Sequence, residues 1–68
     1  MKSNLFDLEV IFQTETEKAV CVRDGEQAPD VWIPKSQCEI DGPNDPPERG
    51  DIVTLTAPES VLAEKGLV

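Results

Sequence analysis

Apolar and polar residues alternate over residues 5–13, with Phe6, Leu8, Val10 and Phe12 on one face and Asp7, Glu9 and Gln13 on the other. Period two with branched and aromatic residues predicts a half-buried antiparallel strand. Ile11 interrupts its polar face. The polar run Thr14-Glu15-Thr16-Glu17 either extends this strand or turns it. Residues 18–23 then form a second strand with Val20 and Val22 on one side, so the pair makes a hairpin. Asp24-Gly25 marks the next turn, because glycine accepts the positive φ that tight turns demand. A short strand over 31–33 follows and ends at Pro34, which has no N–H to donate to a ladder. Residues 35–37 form one tight helical turn, and 37–41 resume as a strand with Cys38 and Ile40 on one face. Three prolines and two glycines between 41 and 50 predict a loop, and residues 51–56 a last strand. A helix at about 58–65 closes the chain: Pro58 near its first position, Glu59 in its first turn, Lys65 in its last and Gly66 just beyond, with Leu67 folding back. So short a helix persists only when packed on the sheet, through Val61 and Leu62.

The result is one domain over residues 1–68, mainly β with one short α-helix. Four or five strands of this length predict a small bent antiparallel sheet or an SH3-like barrel with a C-terminal helix, since closing a sheet hides its edges. The run Val31-Trp32-Ile33-Pro34-Lys35-Ser36-Gln37, followed by Cys38-Glu39-Ile40, is similar to the strand, proline, tight turn and strand near the end of SH3 domains. Here it lies mid-chain, and with one tryptophan and no tyrosine the SH3 peptide groove has no counterpart.

Charge narrows the choice of partner. The chain of 68 residues holds 14 acidic and six basic side chains, a net charge of −8. Such a surface opposes direct binding to nucleic acid, which needs Lys and Arg to displace counterions, and to anionic membranes. The expected partner is a basic protein surface, because complementary potentials steer encounter and set register. No segment is long and apolar enough to span a bilayer, and residues 1–4 lead straight into the alternating strand, so no secretory signal is expected. The expected location is the cytoplasm of a bacterial host cell. There Cys21 and Cys38 stay reduced and act as small apolar side chains.

Candidate chemistry is sparse. Without histidine, the usual acid/base near neutral pH is missing, as is the base of common Ser or Cys nucleophile pairs. Ser3, Ser36 and Ser60 fall at a terminus, a turn and a helix start, where hydroxyls serve the backbone. No catalytic residue, metal site or cofactor is expected: two thiols leave a zinc site half empty, and the four glycines punctuate turns and the helix end. Arg49-Gly50-Asp51 spells an adhesion tripeptide by coincidence.

What stands out is the arrangement of acid. Asp7 and Glu9 share the outer face of the first strand, and Glu15 and Glu17 continue that parity if the strand extends. Neighbours on one strand face lie about 6.5–7 Å apart, comparable to successive phosphates of a nucleic acid. Asp24, Glu26 and Asp30 share one loop, while Glu39, Asp41, Asp45, Glu48 and Asp51 lie in or beside the other. A continuous negative ribbon results if these converge; the alternative is a dispersed, solvated surface. The contact residues named on this basis are Asp7, Glu9, Glu39, Asp41, Asp45 and Glu48, with Trp32 an apolar anchor if it is exposed and a core residue if it is not.

The segments 15–20 and 31–37 and the ending 63–68 resemble a family of small bacterial and phage proteins, often encoded on mobile elements. Trp32-Ile33-Pro34-Lys35-Ser36-Gln37 is the most specific part. The resemblance covers residues 13–68 and implies a compact domain from mobile DNA, not an activity. Small acidic phage proteins of this size include anti-CRISPR inhibitors that occupy DNA-binding surfaces, an analogy of size and charge. The leading expectation is therefore a non-enzymatic inhibitor that mimics nucleic-acid charge. The alternative is an accessory module of phage replication or recombination, binding single-stranded nucleic acid with Trp32 as stacking platform and Lys18, Arg23 and Lys35 as a basic patch. A purely structural, oligomerising subunit is a third.

Overall fold

The computed structural model describes residues 5–67; the readings at residues 1–4, Ser3 among them, and at Val68 lie outside these. Five antiparallel strands and one short helix form the chain in the order β1 (Leu5–Glu15), β2 (Ala19–Arg23), β3 (Val31–Pro34), a 3-10 turn (Lys35–Gln37), β4 (Glu39–Asp41), β5 (Ile52–Pro58) and α1 (Glu59–Glu64). Across the sheet the order is β3-β2-β1-β5-β4. The sheet is open: β3 and β4 are its two edges, joined through the 3-10 turn and not by a ladder. That joint forces curvature. A flat five-stranded sheet separates its edges by about 19 Å. Residues 34–39, with three of them in a 3-10 turn, reach only about 13 Å. The expected bent sheet is therefore the form taken, without barrel closure.

Strand β1 is long enough to serve two neighbours. Its first part pairs with β5, from Leu5 opposite Pro58 to Ile11 opposite Ile52. Its second part pairs with β2, with Phe12 opposite Val22, Thr14 opposite Cys21 and Glu15 opposite Val20. Between Phe12 and Thr14 the register shifts, so Gln13 is the extra residue of a β-bulge. Opposed residues share a face, and an extra residue reverses the parity of everything after it. The even-numbered inward face of Val10 and Phe12 thus becomes odd-numbered beyond Gln13, and Glu15 shares the face of Val20. The expected outward run through Glu15 is overturned, and Gln13 itself is buried.

The loop before β5 clasps this bulge. Phe12 donates its N–H to the Asp51 carbonyl (2.9 Å), and its own carbonyl accepts from Gly50 N–H (2.8 Å). Arg49 Nε–H donates to the Gln13 carbonyl (3.2 Å). Asp51 Oδ2 accepts from Asn44 Nδ2 and from Glu48 N–H, each at 2.9 Å. Gly50 turns the chain with φ +93°, a conformation that side chains resist. All three residues of the Arg-Gly-Asp tripeptide are thereby committed to folding.

Val10, Phe12, Val20, Val22, Ile33, Val53, Leu55, Ala57, Leu62 and Leu67 form the core on the concave face. The helix closes it with Leu62, and its end follows the sequence reading. Gly66 adopts φ +78°, Leu67 N–H donates to the Leu62 carbonyl and Gly66 N–H to that of Ala63, the Schellman arrangement. Two other expectations fail. Phe6 lies on the inward parity but remains 42% exposed, although its partner Ala57 is buried. Gly25 does not use a positive φ; its carbonyl instead accepts from Ala28 N–H within a loop between β2 and β3.

Gly42 and Gly25 make a contrasting pair. A Cβ on Gly42 would meet Val53 Cγ1 at 2.7 Å, whereas nothing lies within 4 Å of one on Gly25. Valine is stiff at χ1 and Val53 is buried. Gly42→Ala is expected to cost about 1–3 kcal/mol, read as a lower urea midpoint, while Gly25→Ala leaves the midpoint unchanged or raised. Equal midpoints for the two variants would contradict this packing.

Candidate functional site

The register of β1, β5 and β4 decides which acidic side chains meet. Asp7 opposes Thr56 and Glu9 opposes Thr54; on the other side of β5, Glu39 opposes Thr56 and Asp41 opposes Thr54. Glu39–Thr56–Asp7 and Asp41–Thr54–Glu9 are thus two adjacent rows on the convex face, away from the core. Four carboxylates stand at the corners of a rectangle of about 7 Å along the strands and 10 Å across them. Two threonines lie between. Thr56 Oγ1 donates to Asp7 Oδ1 at 2.7 Å, which fixes that side chain on this face. All four carboxylate residues are exposed, and none forms an ion pair with a described residue, the two such pairs being Arg23–Asp30 and Lys35–Glu15. Among the described residues no cluster of three or more potential ligands could hold a metal ion. The carboxylates are spread as a charged surface and do not converge on a point.

Apolar rows border the rectangle. Leu5 and Pro58 lie beyond Asp7 and Thr56; Ile11 and Ile52 lie beyond Glu9 and Thr54. Leu5 is 57% and Ile52 56% exposed. Exposed apolar surface therefore stands at each end of the carboxylate rows. Ile11, which interrupted the polar face in the sequence, is one wall of this band.

The other named residues fall elsewhere. Asp45 lines a cleft at the joint between the edge strands, with Glu15, Lys35, Cys38 and Pro46. There Glu15, moved to the other face by the bulge, pairs with Lys35 Nζ at 2.7 Å. Glu48 belongs to the clasp on Asp51. Neither sits in the two carboxylate rows. Trp32 is 45% exposed, so it is a surface residue and not core, but it stands on β3, the edge opposite β4. It does not join the four carboxylates. The basic patch expected around it assembles only in part: Arg23 and Lys35 are held by Asp30 and Glu15, while Lys18 does lie beside Trp32. Thr54, Thr56, Leu5 and Ile52 escaped the sequence reading, since only register reveals their neighbours.

Three side chains have shifted acidities. Burial pushes the Cys21 thiol up, with the negative charge of Asp30 adding to it. Burial also raises Cys38, reinforced by Glu39. Both are free thiols that resist forming the reactive thiolate. The Asn44 hydrogen bond, followed by the Glu48 N–H, holds the Asp51 carboxyl below the usual range. Its folded-state pKa lies under the unfolded one, so its contribution to stability is complete above the ordinary aspartate pKa and disappears as pH falls through the folded value.

Compared with protein-family models, curated proteins and solved structures, the chain finds no match. No described helix is long and apolar enough to cross a membrane.

Two measurements check this geometry. Asn44→Ala is expected to raise the Asp51 pKa toward the ordinary aspartate value in an NMR titration of the carboxyl carbons; an unchanged value would show that Asn44 does not hold it. Like charges gathered on one face, with no described cation paired to them, also oppose folding through their mutual repulsion. The double variant Glu9→Gln/Asp41→Asn should therefore melt higher than the native chain in low salt, and the gap should close at about 1 M salt, where screening acts within 3 Å. A lower melting point at both salt levels would mean that these carboxylates hold the fold together.

Proposed function

We propose that this protein is a non-enzymatic inhibitor whose convex β4-β5-β1 face blocks a basic nucleic-acid-binding surface on another protein, in the manner of an anti-CRISPR-type charge mimic. One observation carries this: Asp7, Glu9, Glu39 and Asp41, drawn from two distant segments, stand in two regular rows on one sheet face, with no ion pair to any of them among the described residues. The sheet register sets the backbone spacing of the four residues and Thr56 holds Asp7, so a target meets charges already gathered on one face. The along-strand spacing suits Lys and Arg already arranged for successive phosphates. The apolar rows through Leu5 and Ile52 supply the dehydrated contact that charge alone does not, and they favour a protein partner over a solvated face. The phage or mobile-element setting suggested by the motif at Trp32 belongs to the same proposal, as does action inside a bacterial cell.

The test uses immobilised native chain and the neutralised variant Asp7→Asn/Glu9→Gln/Glu39→Gln/Asp41→Asn, with purified nucleic-acid-binding proteins of the host as analytes. The native chain should retain a basic protein at low salt, lose it as salt rises, and lose it when excess double-stranded DNA competes; the variant should bind at least about tenfold more weakly. Equal retention by both chains, or retention unaffected by DNA, would overturn the proposal. Gel shifts with single-stranded DNA should stay negative.

A further inference from the structure

The described cations divide into two groups. Arg23 and Lys35 are held in ion pairs, and Arg49 donates to a backbone carbonyl. Lys18 and Lys65 have no ion pair among the described residues, and both line one groove, with Trp32, Ala19 and Pro34 as its other walls. Register explains the apolar part: Ala19 opposes Pro34 and Cys21 opposes Trp32, which places Ala19, Pro34 and Trp32 on one face of β2 and β3. Lys18 arrives from the β1–β2 turn and Lys65 from the C-cap of α1. Three separate parts of the chain thus bring two uncommitted ammonium groups to an exposed indole.

We propose that this groove docks a short acidic peptide segment of a partner protein, its apolar or proline side chain resting on Trp32 and Pro34 and its flanking carboxylates reaching Lys18 and Lys65. Charge complementarity identifies this occupant: here the described chain offers unspent positive charge beside exposed apolar surface. The net charge of −8 weighs against a nucleic-acid strand in the same place. A strand brings a phosphate at every step, and most of them would face the acidic remainder of the molecule. A peptide needs only two carboxylates, one for each lysine; Glu17, which lines the adjoining cleft with Lys18 and Pro34, confines its acidic groups to those two points, and repulsion from acids beyond about 8 Å is screened at physiological salt. Tryptophan supplies large contact area at small entropic cost and dominates many interfaces. The groove lies on the β3 edge and shares no lining residue with the carboxylate rows, so it does not rest on the inhibitor reading.

The experiment follows from composition. Trp32 is the single tryptophan and there is no tyrosine, so indole emission from the full chain reports this groove alone. The probes are a synthetic peptide with glutamates flanking a Leu-Pro pair, the same peptide with lysines for glutamates, and an oligothymidylate. The acidic peptide should shift the emission saturably, and the basic peptide should not. Lys18→Gln/Lys65→Gln, checked for its fold by circular dichroism, should weaken the acidic peptide by about tenfold. The proposal is overturned by an equal response to the basic peptide, by a stronger response to oligothymidylate, by unchanged affinity in the double variant, or by no saturable response up to about 1 mM. The peptide comparison on the native chain decides the matter even if the variant is unstable.

Discussion

The β-bulge at Gln13, and the clasp that holds it, is the constraint on which the rest of the molecule depends. One extra residue in β1 gives the strand's two parts opposite parities: the part before it pairs with β5 and begins the ladder with β2 at Ile11 and Phe12, while the part after it pairs with β2 alone. A bulge bends a strand and increases its twist, and here the bend lets one strand take part in two halves of a curled sheet. The clasp of Arg49, Gly50 and Asp51 satisfies the backbone groups that a bulge would otherwise leave unpaired. That is why a loop rich in proline and glycine is ordered by specific bonds at its far end. An unpaired buried backbone group costs about as much as a lost hydrogen bond, a large share of the stability of so small a domain.

Charge separation follows from the same bulge. Had β1 continued regularly, Glu15 would extend the outer acidic row. Moved to the other face but still exposed, it meets Lys35 at the joint between the edge strands and spends one of the few cations there. Arg49 is spent on the bulge itself and Arg23 on the β2–β3 loop. The convex face keeps four carboxylates that no described cation pairs with, while Lys18 and Lys65 collect beside Trp32 at the other edge. A domain held together by a small core thus carries an uncompensated charge array, a conflict between stability and surface that is most often found where a surface serves binding.

Much of the architecture was legible along the chain. Alternation over β1, the proline stop at Pro34, the single helical turn at residues 35–37 and the loop of 42–50 each follow from one residue type with one backbone consequence. The Schellman end at Gly66 and Leu67 was equally local. Asp7 and Glu9 were legible as a pair, since i and i+2 on a strand always share a face. The reading failed at Glu15, displaced by a bulge that no local residue announces, and at Phe6, which stays exposed although its partner Ala57 is buried; for Trp32 it left core and surface open, and the structure exposes it.

The sequence by itself determined the strands, the helix cap, the net charge and the poverty of catalytic groups, because each follows from side-chain chemistry or from spacing within a few residues. Tertiary structure alone decided which acids became neighbours. Glu39 and Asp41 reach Asp7 and Glu9 only because β5 lies between their strands in one register, while Asp45 and Glu48, close to Asp41 in sequence, are turned away by the loop. Pairing of β5 with β1, more than 40 residues away, and with β4 across the proline-rich loop is set by core packing and loop closure, and no local pattern encodes it.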